Sequence, residues 1–275
     1  MSEQMCISFG NNSLAFEYDT PQVKELLYFL YQYIPTDLAI VPHVTYHMTC
    51  QNNEYTTYRD EELLYQGNSK AQLCNMLLGD ALYQLAYECH AGLFLHAGGV
   101  VKQGKSIIFP GSSGAGKTTL AIWLLRQGFD YLTDEAVFIP LDSSMAYGFT
   151  RPLNVKTHAK PVLSTLFDFE KHKADILSTS ISSLIPPSKF GQIYQPNFAP
   201  LKSIIFPKYQ AKTEFRLKRL SKAKAGLRLL QTLINARNLP QHGFYQVTRL
   251  ADMVPMYEMR YANFRQLETV NLNEL

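Results

Sequence analysis

Residues 111–118 read Gly-Ser-Ser-Gly-Ala-Gly-Lys-Thr, which fits G-x-x-x-x-G-K-[ST] without deviation. Glycines at this spacing let several backbone N–H groups point into one concavity, and a helix opening directly behind them adds partial positive charge. A polyphosphate is the ligand suited to such a loop. Gly111, Ser112, Ser113, Gly114, Ala115, Gly116 and Thr119 would form the cradle. Lys117 would reach the β- and γ-phosphates, and the Thr118 hydroxyl would ligate Mg²⁺. ATP and Mg²⁺ are the expected cofactors.

Two further features bear on what is done with the nucleotide. Asp134-Glu135 follows Thr118 by sixteen residues. A helix over 120–127, ended by Gly128, and a strand over 129–133 would bring both carboxylates to a strand end beside the loop. One would hold Mg²⁺, directly or through water, and the other could accept a proton from an attacking hydroxyl. His96 stands at the end of the strand expected before the loop strand, and Ala97-Gly98-Gly99 after it allow close backbone packing. A lone histidine more often packs than reacts, so spacing alone leaves its part open.

These residues need elements to position them. An apolar run at 106–110 precedes the loop and an apolar helical run at 119–125 follows it, the strand–turn–helix setting in which the motif has meaning. Upstream, 5–9 and 14–18 suggest a hairpin about Gly10-Asn11-Asn12-Ser13, and 23–33 a helix that stops before Pro35. Residues 43–50 and 54–58 suggest strands, and Ser69 an N-cap for a helix with Leu73, Met76, Leu77, Leu82 and Leu85 facing a core. Downstream, strands are expected at 92–95, 203–206, 215–217 and 254–261, with an N-capped amphipathic helix over 221–236. Prolines interrupt 151–200, and 178–200 read as a surface connection or a loop near the site. The chain thus divides into an α+β region, residues 1–90, for substrate or partner binding, and a nucleotide-binding catalytic domain, residues 91–275.

Composition narrows the classes. With 46% hydrophobic and 18% charged residues, this is an ordinary globular chain able to bury a sizeable core. A net charge of +3 is too small to argue for nucleic acid, and the basic stretch at 208–224 reads as solvated surface. Cys6, Cys50, Cys74 and Cys89 lack zinc or redox spacing and are expected as reduced, mostly buried thiols in a cytoplasmic protein. No signal-peptide pattern opens the chain, and the helical run at 69–89 carries Lys70, Asn75, Asp80, Gln84 and Glu88, which excludes a lipid-facing span. No membrane or nucleic-acid partner is expected.

Leu95-His96-Ala97-Gly98, Gly104-Lys105-Ser106-Ile107-Ile108, the whole phosphate loop, Gly128-Phe129 and Thr133-Asp134-Glu135-Ala136-Val137 together resemble the HPr serine kinase/phosphorylase family and its wider group of related proteins. Arg151-Pro152-Leu153 and Ile204-Ile205-Phe206-Pro207-Lys208-Tyr209 look similar to looser members. The resemblance implies an α/β fold with a phosphoenolpyruvate-carboxykinase-like P-loop core, a mixed β-sheet with flanking helices, behind the small α+β N-terminal region. It implies Asp134 as the base that deprotonates a serine hydroxyl, Glu135 (usually Asp in the family) as a Mg²⁺ ligand, and His96 as the residue that tunes or orients the base. Lys117 keeps the role given above, and Arg151 would meet phosphoryl charge or an acidic group of the substrate. The family's R-G-L-G-x-x-N-V signature is absent, Arg151-Pro152-Leu153-Asn154-Val155 being at most a remnant, and residues 1–90 differ from the regulatory domain of HPr kinases. These departures point away from HPr itself and toward relatives that phosphorylate a serine of a peptide natural-product precursor, such as a lasso peptide. The implied partner is a protein or peptide with a serine hydroxyl, and an oligomer is allowed. Two other classes stay open: a kinase for a small-molecule hydroxyl, and a nucleotide-binding regulatory ATPase without a hydroxyl acceptor.

Overall fold

A computed structural model describes residues 2–268 and 270. Strands β1 (Glu3–Phe9) and β2 (Asn12–Tyr18) form the expected hairpin. Its turn is tighter than the sequence suggests, because Gly10 and Asn11 both take positive φ, 64° and 72°, as a two-residue turn between twisted strands requires. Helix α1 (Pro21–Tyr31), with proline in its first turn, carries the chain over so that β3 (Val44–Gln51) lies parallel to β2. Strands β4 (Glu54–Arg59) and β5 (Glu62–Gly67) complete a sheet in the order β1-β2-β3-β4-β5. Val44, Tyr46, Met48 and Cys50 alternate inward along β3. They meet α2 (Lys70–Tyr87), whose Ser69 N-cap oxygen accepts from the Gln72 N–H at 3.3 Å.

The glycine-rich loop at 111–118 belongs to a second, mixed sheet. Strands β6 (Gly92–Lys102) and β7 (Lys105–Pro110), helix α3 (Lys117–Arg126), then β8 (Asp130–Thr133), β9 (Ala136–Pro140) and β10 (Met145–Gly148) follow in turn. A small sheet intervenes, made of β11 (Leu153–Lys156), β12 (Leu177–Ser178) and β13 (Ser182–Ile185), with the short helix α4 (Lys160–Leu163) between β11 and β12. The chain then returns as β14 (Phe198–Tyr209), β15 (Arg216–Arg219), helices α5 (Lys222–Leu230) and α6 (Phe244–Met253), β16 (Met256–Tyr261) and α7 (Phe264–Glu268). Strand order is β10-β9-β6-β7-β14-β16-β15, with β8 also on β6. Because β10 pairs with β14 as well as β9, this path closes on itself. Strands β7, β14 and β16 run parallel, and β6, β9, β10 and β15 antiparallel to their neighbours.

The apolar run in β7 is buried on both faces, as a central strand should be. Ile107 and Phe109 pack under α3 with Leu120, Leu124, Ile205 and Met259. Ile108 faces the other way, against Ile204, Met256, and Leu229 and Val247 of α5 and α6.

Three expectations are corrected. The strand expected to end at residue 95 continues to Lys102, so His96 lies within β6 rather than at its end. The helix expected over 221–236 stops at Leu230, and residues 232–235 turn back along β6 instead. There His96 N donates to the Thr232 carbonyl at 2.8 Å and Ile234 N to that of Phe94 at 2.7 Å, which satisfies a strand edge that would otherwise be buried unpaired. Residues 178–200 are not a bare connection: β13 and Leu184, Ile185 and Phe190 are packed into the core. The cysteines are free thiols, and no helix among the described residues is long and apolar enough to cross a membrane.

Candidate active site

Gly114 and Gly116 hold the turn between β7 and α3 with φ of 88° and 96°, conformations that residues with a Cβ seldom adopt. A Cβ at Gly116 would also lie 2.7 Å from the Tyr261 hydroxyl, which donates to the Gly116 carbonyl. At Gly111 the space is limited by the Ala115 methyl. Lys117, the first residue of α3, is buried with its ammonium turned back into the loop. It donates to the carbonyls of Gly111 (2.7 Å) and Ser112 (3.1 Å). Burial lowers its pKa to about 8, against the opposing pull of Glu135 and Asp134.

The third contact of that ammonium is His96 Nε2, at 2.9 Å. An ammonium only donates, so Nε2 is the acceptor and the ring proton sits on Nδ1. Nδ1 faces the Glu135 main-chain carbonyl at 3.0 Å and its carboxylate Oε1 at 3.2 Å. His96 therefore bridges Lys117 and the second acid.

The two carboxylates are held in different ways. Asp134 has a side chain only 1% exposed. Its Oδ1 accepts from the Tyr131 hydroxyl at 3.1 Å and lies 3.5 Å from Arg151, while Oδ2 accepts from the Asn154 N–H at 3.0 Å and the Thr118 hydroxyl at 3.3 Å. Glu135, 31% exposed, has one oxygen paired with Arg151 and the other near His96. Burial pushes its carboxyl up, but Arg151, His96 and Lys117 outweigh this and hold it down at about 2. Arg151 is not presented to the cavity: only 3% exposed, it lies behind both acids as their shared counter-charge. Arg151 Nε and Asn154 Oδ1 are buried without a hydrogen-bond partner, a deficit that native interiors seldom leave.

A cavity of about 450 Å³ opens in front of these groups. Ser113, Gly114, Gly116, Lys117, Thr118 and Thr119 form one side, with His96, Asp134 and Glu135 at the back. Gly111, Ser112 and Ala115 shape the loop from outside this lining. Val155, Ala159, Val162 and Leu163, from β11 to α4, make an apolar wall, and Lys156 reaches back to the Ser113 hydroxyl. Tyr209 and Tyr261, at the ends of β14 and β16, close the remaining side.

All the expected loop residues, both acids and His96 thus converge. Sequence reasoning missed Tyr131, Lys156, Tyr209 and Tyr261, and it treated Asn154 only as part of a remnant motif. Tyr209 and Tyr261 had one usable signal, since each ends a parallel strand and ligands in such sheets bind beyond the carboxyl ends. Tyr131 had none, because a tyrosine in a strand is ordinary. No protein-family model matches this chain, and no curated protein matches it.

Proposed function

We propose that this chain is an ATP- and Mg²⁺-dependent kinase that transfers the γ-phosphoryl group to a serine hydroxyl of a protein or peptide, on a phosphoenolpyruvate-carboxykinase-like P-loop core. The observation that carries the reading is the Thr118–Asp134 contact, with Glu135 as a second, more open carboxylate in the same cavity. A hydroxyl that gives its proton to Asp134 keeps its oxygen lone pairs for a cation, so these residues fit Mg²⁺. Among the described residues no cluster of three or more His, Cys, Asp or Glu offers a metal site. Mg²⁺ bound through nucleotide phosphates, water and one or two protein oxygens needs none. When bound, Mg²⁺ neutralises charge on the β- and γ-phosphate oxygens.

The geometry favours exchanging the roles that the resemblance implies for the two acids. Asp134 accepts from Tyr131, Asn154 N and Thr118 and so holds the Thr118 hydroxyl in place, which suits orienting the metal side. Glu135 keeps lone pairs facing the cavity and suits the proton acceptor. A carboxylate at about 2 is a weak base, but in a loose phosphoryl transfer the hydroxyl surrenders its proton late, when it has become strongly acidic. His96 and Arg151 orient Glu135, and Lys117 supplies positive charge to the phosphates. Serine rather than water as acceptor is supported by the resemblance across residues 92–140.

Incubation with Mg·ATP and candidate peptides or a cell extract, followed by mass spectrometry, tests the activity. Phosphate gained on a peptide serine is expected; phosphate appearing only in water or on metabolites would overturn the reading. Glu135→Gln should bind Mg·ATP as the wild type does while losing about 10²–10⁴-fold in transfer. Asp134→Asn should weaken Mg²⁺-dependent nucleotide binding about 10–100-fold. The reverse pattern would restore the roles that the resemblance implies.

A further inference from the structure

On the face of the sheet opposite α3, helix α5 and strands β15 and β16 enclose a cleft of about 830 Å³. Six cationic residues line it, Arg216, Lys218, Arg219, Lys224, Arg228 and Arg260, against one carboxylate, Glu258. Register sets Arg216 beside Arg260 and Lys218 beside Glu258, and brings Lys208 of β14 to the other flank of Arg260. Glu258 is already engaged by Arg228 and by Arg260, the latter at 3.0 Å. Among the described residues no carboxylate lies within ion-pair distance of Arg216, Lys218, Arg219 or Lys224. Like charges abreast on neighbouring strands are unfavourable on their own. An anion lying across them would relieve that repulsion.

Two observations say which anion. Strand β15 ends the strand order, so among the described residues its outer edge is open to pair with an extended chain. Side chains of such a chain alternate with a period of two, so acids at every second position would face Arg216 and Lys218 together. No aromatic ring lines the cleft, whose apolar members are Leu220 and Leu227. Nucleic-acid bases would therefore find nothing to stack on. Arg260 in its lining and Tyr261 in the cavity wall are consecutive on β16 and so point to opposite faces of the sheet, which sets the cleft on the other side of the sheet from the nucleotide cavity.

Resting on the kinase reading above, we propose that this cleft docks an acidic stretch of the peptide or protein substrate, extended along the outer edge of β15. The test uses the full chain without nucleotide and a fluorescent peptide of alternating glutamate and serine, followed by anisotropy. The glutamine counterpart and an oligothymidylate of equal charge serve as competitors. The glutamate peptide should bind about tenfold more tightly than its glutamine counterpart and lose about tenfold in the R216E/K218E/K224E variant, while Lys117→Met binds it as the wild type does. Should the triple variant fail to fold by circular dichroism, R216Q/K224Q takes its place, with a smaller loss expected. Equal binding of the two peptides, indifference to the variants, or tighter binding of oligothymidylate would overturn the assignment. Acidic-peptide binding without transfer to any acceptor would remove the kinase reading and leave the docking site. Transfer with no preference for acidic peptides would do the reverse.

Discussion

Lys117 holds its ammonium on the carbonyls of Gly111 and Ser112 and on His96, groups that a phosphate would have to outcompete on the proposed reading. Its lowered pKa, about 8, has a consequence of definite sign. On the proposed reading, the form of Lys117 that would bind phosphate is the ammonium, which is lost as pH rises through that value. Affinity for a non-hydrolysable ATP analogue, read by calorimetry, should fall about tenfold between pH 7 and pH 9. A flat profile over that range would mean that Lys117 keeps its proton and that burial matters less than the two acids. Arg151 poses the converse case, a buried cation between two carboxylates. Arg151→Met leaves both acids without their counter-charge and should cost about 3–5 kcal/mol in urea unfolding. The loss should shrink as pH falls toward the range where Glu135, no longer held at about 2, takes up a proton.

Elements act here through what they allow at their ends. The turn from β7 to α3 depends on two left-handed glycines with different surroundings. Gly114 faces open space, so alanine there meets only the conformational penalty, about 1–2 kcal/mol. At Gly116 alanine meets the same penalty and also the Tyr261 hydroxyl. Gly116→Ala should therefore lower the melting temperature more than Gly114→Ala does, and adding Tyr261→Phe should recover part of the difference. Equal losses would show that Tyr261 gives way freely. Strand β6 has a comparable dependence on the segment after α5. Its stretch about His96 is paired by β9 on one side and residues 232–234 on the other, so the histidine's backbone is fixed from both edges.

Across the whole molecule, the division at residue 90 does not separate two cores. Phe9 of the N-terminal sheet meets Phe94, Phe138 and Phe149 edge-on, at 5.2, 6.1 and 5.4 Å between ring centres. These rings belong to one cluster with α1, α2 and Leu184. Asn235 adds a polar tie, donating to the carbonyls of Cys89 (2.8 Å) and Gly92 (2.9 Å) and accepting from Phe94 N (3.0 Å). A single unfolding transition is expected by both fluorescence and circular dichroism, and residues 91–275 expressed alone should not fold. Asn235→Ala strands three buried backbone partners and should cost about 2–4 kcal/mol. Two separate transitions would show that the regions are independent after all.

Much of the site was legible in the chain itself. The glycine-rich loop, Lys117, Thr118 and the acid pair are local in sequence, and their spacing alone places them around one strand–turn–helix unit. The hairpin at Gly10-Asn11 and the N-cap at Ser69 were legible for the same reason, since each depends on a few adjacent residues. What the local pattern could not reach were contacts between distant segments. Thr232–Asn235 read as helix because helical periodicity does not register that β6 has an edge to be paired. Arg151 read as a substrate contact because burial behind Asp134 and Glu135 depends on where β11 lies. The difference between the two acids is of this kind as well. They are neighbours in sequence, and only Tyr131, Asn154 and Thr118 closing on the one, and His96 and Arg151 on the other, distinguish them. The sequence by itself determined which groups gather about the glycine-rich loop; the tertiary structure decided their charge environment and exposure, because these depend on partners that pairing and packing bring from far along the chain.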